Sequence, residues 1–188
     1  MKRLLLFAGI VALLFSCASF PEPEGQGNSL VIGNFILDFP DGFFDLSARK
    51  ITSGVTLHLA NRTKGTKFAL ITSSPGYFYF LTNGSDEFEL ESSEYAAEGL
   101  GHRYKMNIPI RIKIMNTPDK VIYLGHITST YTLPKIEKES GTGSRTWNFE
   151  TEWTTTWDQE GLRLYIVEVS PNRQWLNREV LEYRAKAD

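Results

Sequence analysis

Hydrophobic and polar positions alternate with period two through much of this chain. In Met106 to Met115 (MNIPIRIKIM), Ile108, Ile110, Ile112 and Ile114 fall on one face and Asn107, Pro109, Arg111 and Lys113 on the other, the pattern of a half-buried strand. Pro109 has no amide hydrogen to give to a ladder, so this strand is expected at a sheet edge or with a bulge at that point. Val55 to Leu59 (VTLHL) alternates likewise, and Lys64-Gly65 offers a turn into Phe68 to Thr72, which predicts a hairpin. Pro75-Gly76 and Asn83-Gly84 bracket an aromatic strand, Tyr77 to Leu81, and a further strand runs from Glu87 to Glu91. Val121 to Leu124 and Ile127 to Tyr131, parted by Gly125, continue the series, and Leu30 to Phe39 opens it.

Strands spaced at about ten residues and separated by Gly, Pro and Asn turns predict a mainly β fold, an antiparallel β-sandwich or barrel, with the sandwich preferred, rather than an α/β arrangement. The period changes once. In Asp158 to Val169 (DQEGLRLYIVEV), Leu162, Tyr165, Ile166 and Val169 stand at i, i+3, i+4 and i+7, with Asp158 placed to cap and Pro171 to stop; a helix is expected, with a strand as the alternative because the same residues also alternate. The tail, Asn172 to Asp188, carries Trp175, Leu176, Val180 and Leu181 among charges and reads as a second short helix packed on the sheet.

Two segments break the patterning. Ala18 to Ser29 (ASFPEPEGQGNS) combines Pro, Glu, Gly and Gln with almost no apolar residue and reads as a flexible tether. Pro134 to Ser144 (PKIEKESGTGS) is charged and then Gly and Ser rich, predicting a mobile loop over 134–146. The organisation expected is therefore a leader over 1–16, a tether over 17–29 and a single β-rich domain over 30–188.

The leader follows from its own pattern. MKRLLLFAGIVALLFSCAS starts with Lys2 and Arg3, continues through an apolar run from Leu4 to Phe15, and ends at Ser16-Cys17. This is the plan of a secretory signal peptide, and the run is too short for a permanent membrane span. The residues LFSC, Leu14 to Cys17, resemble the bacterial lipobox. That resemblance implies a thioether-linked diacylglycerol, and hence palmitate-type acyl chains, on Cys17 as the first residue of the mature protein. Cys17 is the only cysteine of the chain, so no internal disulfide can form and no thiol remains for redox, nucleophilic or zinc chemistry. Loss of residues 1–16 removes two of 20 basic side chains and none of 22 acidic ones. The mildly acidic remainder lacks the basic stripe that nucleic-acid binding needs.

Candidate chemistry is sparse. Arg145 to Asp158 (RTWNFETEWTTTWD) holds Trp147, Trp153 and Trp157, which counting by twos places on one strand face with Phe149. An aromatic row of this kind stacks on sugar rings or packs a core, so the three tryptophans are either a glycan-binding face or the inner face of a strand. Eleven residues would span roughly 35 Å, and a bulge or twist within TEWTTTW is expected. The three histidines, His58, His102 and His126, accompany no G-x-S-x-G elbow and no H-E-x-x-H helix, and read as ordinary surface or partly buried residues. Glu87, Glu89 and Glu91 share a strand face near Asp86 and Glu94; they could draw a hard cation, but with Phe88 and Leu90 pointing the other way a solvated outer face is expected. In GYFYF, Tyr77 and Tyr79 oppose Phe78 and Phe80, as in a central strand covered on both faces.

The turn Pro75-Gly76-Tyr77 resembles the strand entry of carboxypeptidase-regulatory-like modules. A lipobox, a polar tether and a β-rich domain together are similar to bacterial envelope lipoproteins with immunoglobulin-like or transthyretin-like domains. The resemblance implies a noncatalytic module without cofactor or metal, lipid-anchored in the cell envelope through Cys17, whose partners are the membrane, another envelope protein or a glycan, with no catalytic residue to carry over. A hydrolase using His102 or His126 is the remote alternative.

Overall fold

A computed structural model describes residues 22–23, 26–38, 50–99, 102–132, 150–170 and 173–183. The strands are β1 (Asn28–Asp38), β2 (Lys50–Ile51), β3 (Thr56–Asn61), β4 (Thr66–Ile71), β5 (Tyr77–Asn83), β6 (Glu87–Gly99), β7 (His102–Met115), β8 (Val121–Thr132), β9 (Glu150–Thr156) and β10 (Val180–Glu182). A helix, α1 (Gln159–Val169), and a 3-10 turn, η1 (Gln174–Asn177), lie between β9 and β10.

The strands form two sheets. One has the order β4-β3-β6-β7. The other is centred on β8 and β1 and is flanked on each side by two short strands placed end to end. β10 follows Val121 to Tyr123 of β8 and β9 follows His126 to Thr132. β5 follows Asn28 to Asn34 of β1 and β2 follows Leu37 and Asp38. Both sheets contribute to one apolar cluster, in which Val31, Phe35, Phe78 and Leu124 meet Leu57, Leu59, Leu90 and Ile112. A second cluster covers the opposite face of the β1–β8 sheet, where Leu30, Ile32, Val121 and Tyr123 meet Leu162, Tyr165, Ile166 and Trp175. The layers thus run α1, helix-covered sheet, outer sheet, and the expected mainly β sandwich is present.

Pairing is antiparallel except at two places: β1 with β8, and β10 with β8, run parallel. Parallel neighbours need long crossovers, and the chain provides them through β2–β7 in the first case and through β9 and α1 in the second. As the sheet's two central strands, β1 and β8 are covered on both sides; Ser29 to Phe35 are all buried, so β1 is a continuous buried run, apolar but for Ser29 and Asn34, rather than an alternation.

Pro109 satisfies both alternatives posed for it. β7 pairs with β6 at the end of its sheet, and beside the proline the register slips, with Leu90 opposite Ile112 and Ser92 opposite Pro109. Two residues, Ile110 and Arg111, therefore oppose Glu91, and Arg111 takes a positive φ of 61°, the geometry of a bulge. The hairpin β3–β4 turns where expected, through Arg62 to Gly65, with the Lys64 amide donating to Asn61 Oδ1 at 2.9 Å.

The helix is present and starts at its expected cap, where the Gly161 amide donates to Asp158 Oδ1 at 2.9 Å. Leu162, Tyr165 and Ile166 are buried by it. Three expectations are corrected. Over its described residues, 173–183, the tail forms no second α-helix: one 3-10 turn suffices to sink Trp175 into the helix-side cluster, and the chain then adds β10 to the edge of β8. The aromatic strand β5 is covered on both faces but is not central, because it pairs with β1 alone among the described residues. The bulge expected within TEWTTTW lies in the partner strand, since Glu150 to Thr156 follow Thr132 to His126 without a slip, whereas β8 bulges at Leu124-Gly125 against Gly33 of β1.

Candidate functional site

β4 and β5 are consecutive in the chain and lie in different sheets. Each is the outermost strand of its sheet among the described residues, pairing with β3 and β1 respectively. The sandwich is therefore unsealed along this flank, and a cleft of about 470 Å³ lies there, between strands that should otherwise close over the core.

Its floor is aromatic. The rings of Phe68, Phe80 and Phe88 meet edge to face, with centroids 5.4 Å apart for Phe68–Phe80, 5.0 Å for Phe80–Phe88 and 6.2 Å for Phe68–Phe88. Such packing is favourable beyond simple burial, and Leu70 extends it. The rim is polar. Asp86 Oδ2 accepts from Lys64 Nζ at 2.6 Å and from Asn61 Nδ2 at 2.9 Å, and the Lys64 and Asn61 hydrogen bonds hold the Asp86 carboxyl below the usual carboxylate range. Thr82 lines the same cleft, and its buried hydroxyl has no hydrogen-bond partner. On the two flanking strands Ile71 and Leu81 stand 70% and 39% exposed. The arrangement offers an apolar bed and two strand edges; among the described residues that line it no nucleophile is hydrogen-bonded to a base.

A second cluster joins α1 to the sheet. The rings of Tyr77 and Tyr165 stack with centroids 3.9 Å apart and 11° between planes, and the Tyr165 hydroxyl lies 3.4 Å from Ser73 Oγ. His126 meets Tyr77 and Tyr123 edge-on at 6.1 and 6.5 Å. The Asp158 amide donates to the Tyr123 hydroxyl at 3.4 Å. Burial pushes the phenols of Tyr77, Tyr123 and Tyr165 up and the His126 imidazole down, with the Asp158 charge opposing the latter. The His126 Nε2 is buried with no hydrogen-bond partner, and Ser73 Oγ donates to the Tyr77 carbonyl at 3.0 Å. No serine–histidine pair is assembled here among the described residues.

The sequence candidates are scattered. Cys17, Trp147 and the loop over 134–146 lie outside the described residues. Trp153 stands in β9 opposite Ser129. Trp157 lies one residue beyond β9 and packs, half-buried, against the helix-side cluster. His58 Nε2 sits 3.5 Å from Glu94 Oε2, and His102 begins β7. Glu89 and Glu91 meet Arg62 at 2.6 and 3.1 Å, and Glu91 meets Lys67 at 2.8 Å, an outer-face ion-pair network. No group of three His, Cys, Asp or Glu is placed to hold a metal among the described residues.

The cleft was not anticipated, although its parts were visible: a hairpin ending in an edge strand, and an aromatic strand after a proline-glycine corner. That the corner carries the chain from one sheet to the other is a tertiary fact. No family model matches the chain, and no curated protein matches it.

Proposed function

We propose that this chain is a noncatalytic, lipid-anchored binding module of the bacterial cell envelope, exported by its leader, acylated at Cys17, and engaging another envelope protein through the cleft between β4 and β5. The cleft is the observation that supports this reading most. Two strand edges that no described residue pairs can accept an added strand through backbone hydrogen bonds, while the apolar cleft between them selects side chains. The aromatic floor suits apolar residues of an extended segment. The finer fold reading is an immunoglobulin-like or transthyretin-like sandwich, supported by two packed, mainly antiparallel sheets.

The anchor is tested by metabolic labelling with palmitate: the wild-type chain takes label and Cys17→Ser does not, and a labelled mutant would refute Cys17 as the attachment site. The binding site is tested by a photo-crosslinking residue at Leu81 in intact cells. A discrete crosslinked protein is expected, and it should be lost in Phe68→Asp while the folded chain is retained. Crosslinks that survive Phe68→Asp unchanged would remove the cleft from the interface.

A further inference from the structure

Resting on the lipid anchor proposed above, we infer that α1 lies against the membrane, with Leu164 and Val167 seated at the lipid surface and the outer sheet turned away. The leash sets this orientation. Glu22 is bonded to the end of α1: its carboxylate accepts from the hydroxyl of Ser170, the helix C-cap, and from the Gln174 amide at 3.3 Å. Only four residues of chain, Ala18 to Pro21, lie between it and Cys17, so the five steps reach roughly 17 Å even fully extended. The acylated cysteine therefore stays close to the C-terminal end of α1. It cannot swing to the outer sheet, which lies on the far side of two packed layers.

The face held in that position is suited to lipid. Leu162, Tyr165 and Ile166 point inward, which leaves Leu164 and Val167, three residues apart on the outward side, 64% and 36% exposed. Leu164 is six residues from Ser170, about 9 Å along the helix, within the radius that the leash allows. The exposed charges of the helix and its cap are Asp158, Glu160 and Glu168 against Arg163, a mildly acidic set, so apolar contact and the covalent anchor rather than net charge drive the seating. An amphipathic helix in the plane of the interface is a known mode of membrane contact, and here the covalent anchor supplies the local concentration that two apolar side chains alone would lack.

The test uses the full acylated chain reconstituted in vesicles of phosphatidylethanolamine and phosphatidylglycerol that carry a nitroxide-labelled lipid. With Cys17 consumed by the thioether, Leu164→Cys supplies a single thiol for an environment-sensitive fluorophore, and Lys67→Cys supplies the control on the outer sheet. Several-fold stronger quenching at 164 than at 67 is expected. In Glu22→Ala the next hydrogen bond to the domain among the described residues is the Gly27 amide on Asp119 at 2.8 Å, the leash to it is twice as long, and the difference between the two probes should shrink with palmitate labelling unchanged. Equal quenching at both positions in a palmitate-labelled chain overturns the orientation alone. A chain that takes no palmitate and labels at Cys17 as well overturns the anchor and the orientation with it.

Discussion

Gly125 marks the point where β8 exchanges one neighbour, β10, for another, β9. Its φ is +79°, and a Cβ there would lie 2.6 Å from the Thr156 carbonyl oxygen and 2.7 Å from Thr155 Cγ2. A left-handed backbone costs a side-chain-bearing residue roughly 1–2 kcal/mol before any clash. Gly125→Ala should therefore lose at least about 2 kcal/mol in urea denaturation, whereas Gly65→Ala, with a positive φ but open space around it, should lose only the backbone part. Equal losses at the two sites would mean that the Thr156 contact does not constrain β8. One residue further, His126 is packed by Tyr77 and Tyr123, and burial lowers its pKa, with the Asp158 charge pulling the other way. Its folded pKa lies below its unfolded one, so between the two the unfolded chain binds more protons. The stability it allows is complete above about pH 6.5 and declines as pH falls toward the folded value. The carboxylates held low, Asp86, Glu91 and Asp119, act in a more acid range. Denaturation midpoints should thus fall below about pH 6.5 in the wild type, and His126→Gln should flatten that part of the profile; an unchanged profile would exclude His126 as its source.

Among the elements, those whose periodicity is local were legible in the sequence, and those that depend on a partner were not. The β3–β4 hairpin, β7 with its proline-linked irregularity and α1 with its Asp158 cap follow from residues within each segment. β10 was not legible because three residues with no turn signal become a strand only when β8 presents a free edge. The position of β5 was not legible because aromatic residues on both faces are compatible with a central strand and equally with an edge strand lying between a helix and a second sheet. The tryptophan row shows the same limit. Counting by twos unites Trp147, Trp153 and Trp157, but β9 ends at Thr156, and Trp157 turns into the helix-side cluster. A glycan-binding face built on this row would therefore rest on Trp147 and Trp153. If that face binds sugar, soluble cell-wall saccharides should shift the tryptophan emission, and Trp153→Ala should abolish the shift at little cost in stability. No shift, together with a loss of about 3–5 kcal/mol in Trp153→Ala, would identify Trp153 as core.

At the scale of the whole molecule, the two apolar clusters share one sheet. β1 sends Leu30 and Ile32 toward α1 and Val31 and Phe35 toward the outer sheet, and β8 divides Val121 and Tyr123 from Ile122 and Leu124 in the same way. Neither face of these strands can be unpacked without exposing apolar surface on a strand that also holds the other face. The layers should consequently unfold as one cooperative unit, although α1, η1 and β10 make up a minor part of the chain. Trp175 is the sharpest place to test this, being the largest side chain among those fully buried and belonging to the helix-side cluster alone. Trp175→Ala should cost about 3–5 kcal/mol, and native-state hydrogen exchange should report that loss in the amides of Leu57 and Leu90 on the outer sheet as well as in Leu162 and Ile166 on α1. If protection falls only on α1 and β10, the helix-side layer opens separately from the sandwich. α1 would then be a detachable latch on an independently stable pair of sheets, and the membrane orientation proposed to be set through Glu22 would be lost whenever it opened.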